Sequence, residues 1–96
     1  MVAGPLTRLR QDYAAAFVRY LSRRDEAALR AAYETGRSAL SAGISLLDVV
    51  QVHHVVLLGE LRTVRDPGEL QEVGDLAAAF LVEVLAPYEM TQLRRP

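Results

Sequence analysis

Apolar residues recur along this chain in steps of three and four, and the recurrence is broken by short polar or helix-stopping stretches that divide it into four helical segments. From Leu6 to Leu21 the apolar positions are Leu6, Leu9, Tyr13, Phe17, Tyr20 and Leu21, one stripe of a helix entered through Pro5. That helix is expected to end between Ser22 and Asp25, where either residue can cap the next one. The second segment sets Leu29, Tyr33, Gly36 and Leu40 on one face and alternates Glu26, Arg30, Glu34 and Arg37 on the other. It stops at Gly43, the residue suited to a left-handed C-terminal cap.

The third segment, Ile44 to Leu61, is rich in valine and favours a strand on propensity alone. Its pattern favours a helix. Ser45, Asp48, Gln51 and His54 recur every three residues as a slowly turning polar stripe, whereas alternation fails at Val49-Val50 and at His53-His54. Ser45 and Asp48 form a capping pair at its start. The rest of the segment is apolar nearly all round, which predicts either the central helix of a bundle or one shared with a second subunit. Asp66-Pro67-Gly68-Glu69 then reads as an N-cap, a first-turn proline and a capping glutamate. The fourth helix carries Leu70, Val73, Ala77, Phe80, Leu81, Val84 and Tyr88 at helical spacing, with Gly74, Ala77, Ala78 and Ala79 permitting close helix approach. Pro87 deletes an amide donor and frees the carbonyl of Glu83, which predicts an interruption and a kink. The fold expected is all-α, a single four-helix bundle-like domain over residues 1–96. The closing Leu93-Arg94-Arg95-Pro96 lacks a helix stop, so the last helix is expected to run on into another domain of a longer protein.

Composition narrows the chemistry. A chain of 96 residues buries only about 60–65% of its unfolded surface, so a second subunit would add to its stability. Eleven basic residues, all arginine, against twelve acids give a net charge of -1, which provides no field for nucleic acid or an anionic membrane. The absence of cysteine removes disulfides, thiolate metal sites and thiol nucleophiles, and fits the reducing cytoplasm. No apolar run approaches the roughly 20 residues that span a bilayer.

No catalytic constellation emerges. Adjacent helical residues point about 100° apart, so His53 and His54 cannot share a metal, and neither has a His or carboxylate four residues away. No metal or cofactor is expected. A hydrogen-bonded histidine at the core boundary is the simpler reading, and the sharper alternative is a histidine phosphotransfer or sensor-kinase dimerisation domain using His54. Neither His53 nor His54 is followed by the acidic, polar and proline residues found in such domains. The serines lie at helix ends or faces, and Glu26, Glu34, Asp48 and Glu83 read as caps or exposed charges.

Three stretches carry a family resemblance: Ile44-Ser-Leu-Leu-Asp-Val-Val-Gln-Val-His53, Phe80-Leu-Val-Glu-Val-Leu-Ala-Pro-Tyr-Glu-Met90, and Arg19-Tyr20 at the end of the first helix. Their order and spacing, over about Tyr13 to Leu93, resemble the N-terminal domain of RsbU-type phosphatases of the bacterial general stress response. The C-terminal domain of the circadian-clock protein KaiA has a similar helical dimerisation fold. The resemblance implies a non-catalytic domain that forms a homodimer and is bound by an RsbT-like switch protein, which activates a serine phosphatase domain of the PP2C type. It maps the partner surface onto Arg30, Tyr33, Val82, Ala86 and Tyr88. The chain departs from the pattern at Ala86, where a larger apolar anchor would serve better, and at Pro87.

Overall fold

The computed structural model describes residues 4–93, which form four helices and, among those residues, no strand. Helix α1 (Pro5–Arg23) buries Leu9, Tyr13, Phe17 and Tyr20 of the stripe its spacing predicts, with Leu21 half-buried and Leu6 exposed at the start. It ends where Arg24 takes a left-handed conformation (φ 54°) and donates its amide to the Tyr20 carbonyl at 2.8 Å. The Arg24 guanidinium then reaches Glu72 on the last helix at 3.1 Å.

Helix α2 (Glu26–Ser41) starts at Asp25, whose carboxylate accepts the Ala28 amide at 2.9 Å. It closes at Gly43 (φ 75°), with the Ile44 amide bonded back to Ala39 at 3.0 Å, a Schellman termination. Of the expected Leu29, Tyr33, Gly36 and Leu40, Gly36 faces the core, joined there by Ala28, Ala32 and Ala39, while Leu29, Tyr33 and Leu40 are half-buried along its edge. The reason is close approach to the last helix. A Cβ added at Gly36 would run into the Val84 carbonyl, 2.8 Å from its carbon, so only small residues can line this crossing. The small residues expected to serve this purpose on the other helix mostly do not, since Gly74 and Ala78 are exposed and only Ala77 is fully buried.

Helix α3 (Leu46–Leu61) is capped by Ser45, whose hydroxyl accepts the Asp48 amide at 3.1 Å. Valines on a helical rather than alternating pattern do form a helix here. It is not the central one, however. It packs on α1 and on the last helix but makes no extensive contact with α2, so it buries only Val49, Val52, His53 and Val56.

Helix α4 (Pro67–Leu93) begins at Asp66, which accepts the Glu69 amide at 3.0 Å. Its most extensive packing is against α2. The interruption expected at Pro87 does not occur, and the helix runs through it to Leu93. A proline removes one donor, while the turns on either side keep theirs. Here Pro87 is buried, Thr91 Oγ1 donates to its carbonyl at 3.1 Å, and the following turn is tied to the rest of the fold by Tyr88 and Met90. The terminal stretch expected to continue this helix lies, from Arg94 onward, outside the described residues.

The four helices meet on an aromatic core. Phe80 stacks edge-on against Tyr13 and Phe17 at centroid distances of 5.1 and 5.2 Å, and all three are fully buried. His53 closes this cluster from α3.

Candidate functional site

The two histidines part company at the core surface. His53 is buried and shares a 2.6 Å hydrogen bond with the Tyr13 hydroxyl. Burial and, less strongly, the neighbouring His54 hold its pKa below the usual value, so it sits in the fold as a neutral imidazole. Burial likewise pushes the Tyr13 phenol far up, keeping it protonated. His54 points outward and is exposed. Among the described residues, no three His, Cys, Asp or Glu side chains gather as metal ligands, and no helix is long and apolar enough to cross a membrane.

Two helical faces stand out on the surface. The first lies between α2 and α4. Arg30 and Tyr33 line a shallow hollow of about 320 Å³ with Glu26, Leu29, Glu34 and Glu83. Tyr33 is also a wall of the next hollow, about 280 Å³, with Arg37, Leu40, Pro87, Met90 and Thr91, and donates its hydroxyl to the Met90 sulfur at 3.7 Å. Val82 stands out from α4 at 67% exposure, and Ala86, one turn on, is half-buried.

Tyr88 does not join this group. It lies about 200° around the helix from Met90, and its hydroxyl donates to the Ile44 carbonyl at 2.8 Å, tying α4 to the α2–α3 connection. Burial raises its pKa. Four of the five residues expected at a partner surface thus lie on α2 or on the outward side of α4, while Tyr88 braces the fold. Glu83, Arg37 and Met90, which sequence reasoning did not select, complete the hollows. The seven-residue spacing of Glu83 and Met90, two helical turns, was the signal that puts them on one side of α4.

The second face is the outer side of α3. Leu47 (75% exposed), Val50, Val55 and Leu58 lie there with Gln51 and His54 between them. Two residues of the polar stripe, Gln51 and His54, are therefore set within an apolar face. Single exposed apolar residues are ordinary on a protein surface, but three continuous turns of them are not.

Comparison with curated proteins and with solved structures gives no match. Comparison with family models does give one: the model for the N-terminal domain of the phosphoserine phosphatase RsbU matches residues 11–91, from the first helix to the last turns of the fourth. This stretch contains both faces and the Tyr13–His53 contact. On the strength of that match, the chain belongs to the family of RsbU N-terminal domains, the regulatory N-terminal part of those phosphatases.

Proposed function

We propose that this domain is a regulatory module of a bacterial stress-response pathway, working in the cytoplasm, that pairs with a second copy and is bound by an RsbT-like switch protein. Partner binding would favour one arrangement of α4 and so activate a serine phosphatase domain of the PP2C type attached beyond it. The observation that carries this reading is the α2–α4 strip, where Arg30 and Tyr33 stand beside Glu83 and Met90. A protein seated on α2 there touches the same residues that hold the last turns of α4. Transmission requires the partner to bind one arrangement of α4 more tightly than another, and a contact spanning both helices supplies that difference.

Titration of the domain with the RsbT-like protein of the same organism, followed by calorimetry, tests the reading. Saturable binding is expected, weakened at least tenfold by Arg30→Glu, at an exposed position, while the melting temperature stays near that of the parent. An absence of binding to the intact domain would remove the switch-protein partner from the account.

A second reading, histidine phosphotransfer, draws support from the exposure of His54. Incubation with a phosphodonor kinase separates the two, since phosphotransfer leaves acid-labile phosphate on His54 and a binding module leaves none.

A further inference from the structure

The chain has no cysteine and two methionines, so its only sulfur atoms are those of Met90 and of Met1, the latter outside the described residues. Met90 is 44% exposed, so core packing does not account for a thioether there. Its sulfur accepts the Tyr33 hydroxyl across the α2–α4 gap at 3.7 Å, and Arg37 lines the same hollow. A thioether is a weak acceptor, yet this one shares its hollow with a phenol and a guanidinium, both donors suited to a stronger one.

We propose that Met90 is a redox modification site: hydrogen peroxide oxidises it to the sulfoxide, whose oxygen accepts the Tyr33 hydroxyl and fastens α4 to α2. The sulfur attacks one peroxide oxygen, the O–O bond breaks, an S–O bond forms, and the second oxygen leaves as water. Two electrons pass from sulfur to peroxide, and no protein group changes its protonation.

The spacing of the two helices suits the product. An S–O bond of about 1.5 Å and a hydroxyl hydrogen bond of about 2.7 Å, meeting at about 120° at the oxygen, span the 3.7 Å already found between sulfur and phenol. Neither helix has to move. Sulfoxide formation disrupts a packed core by turning an apolar side chain polar. At this exposed position no core is broken, and a weak acceptor is replaced by a strong one.

The modified residue lies in the strip proposed above as the partner surface, and its effect on a partner rests on that reading. Oxidation makes the edge of the strip polar and commits the Tyr33 hydroxyl to Met90, so a protein seated on α2 loses both an apolar contact and a donor. Reductases specific for each sulfoxide epimer reverse the change.

The test compares the parent, Tyr33→Phe and Met90→Leu before and after treatment with hydrogen peroxide, using peptide mass spectrometry and melting temperature. One added oxygen is expected at Met90. The shift on oxidation should be more favourable in the parent than in Tyr33→Phe, which lacks the donor, by roughly 2 °C or more. Met90→Leu should show no shift, which assigns the effect to Met90 rather than to Met1. An unmodified Met90 at a peroxide dose that converts a free methionine peptide overturns the site. Equal shifts in the parent and Tyr33→Phe, or in the parent and Met90→Leu, overturn the fastening. The oxidised parent should also bind the switch protein proposed above more weakly than the reduced one, by roughly fivefold or more. Equal affinity overturns the effect on the partner, whereas a reduced domain that does not bind overturns the reading on which that effect rests.

Discussion

Tyr13 and His53, forty residues apart in the chain, meet at 2.6 Å inside the bundle and tie α1 to α3. Apart from the tyrosines, His53 is the one polar side chain among the buried residues described, and the bond to Tyr13 is what makes its burial tolerable. The same contact that removes His53 from any surface chemistry also fixes how α3 lies, and hence which of its residues face outward.

Tyr13→Phe should therefore cost about 1–3 kcal/mol of stability, since it keeps the ring and its packing on Phe80 but strands a buried imidazole nitrogen. Denaturant unfolding near pH 8 measures this directly. A neutral effect would mean that the hydrogen bond contributes nothing to the α1–α3 contact.

The pH dependence of stability follows from the lowered pKa of His53. The unfolded chain takes up a proton near 6.5, while the folded one keeps the imidazole neutral to lower pH. The stabilisation is therefore complete above 6.5 and is lost as pH falls from there through the lowered folded value. Melting temperatures measured from about pH 7.5 to 5.5 should decline in the parent and decline less in His53→Gln, which cannot titrate. Since the carboxylates are common to both proteins, equal slopes would contradict the assignment.

Glycine-to-alanine changes at two helical positions should have opposite signs. Gly36→Ala drives a methyl into the Val84 backbone at the α2–α4 crossing and is expected to destabilise by about 1–3 kcal/mol. At Gly74 nothing lies within 4 Å of the added Cβ, so Gly74→Ala should stabilise by about 0.5–1 kcal/mol through helix propensity. Thermal unfolding of the two variants tests whether close approach, rather than flexibility, explains the glycine in α2.

Most of the local structure was legible in the residues because caps and stops act over three or four positions. Asp25, Ser45, Asp66 and Gly43 each do what their chemistry predicts. What escaped was set by neighbours far away in sequence. Leu29 and Leu40 are larger than Ala32 and Ala39, yet the small residues took the core face of α2 because α4 comes too near for anything else. The apolar character of α3 pointed to a central helix or to one shared with a second subunit, and amino-acid pattern alone does not show that α3 packs on α1 and α4 with one side exposed. Pro87 likewise predicted an interruption on local grounds, while the contacts of Met90, Tyr88 and Thr91 carry the helix through it. At the candidate partner face, helix positions were readable for Arg30 and Tyr33, but the commitment of Tyr88 to the Ile44 carbonyl was not.

Pairing in place of chemistry is the centre of this account, and the mass of the domain in solution measures it most directly. Sedimentation equilibrium over a wide concentration range should show a reversible approach to twice the monomer mass. A strict monomer at the highest soluble concentration would contradict it.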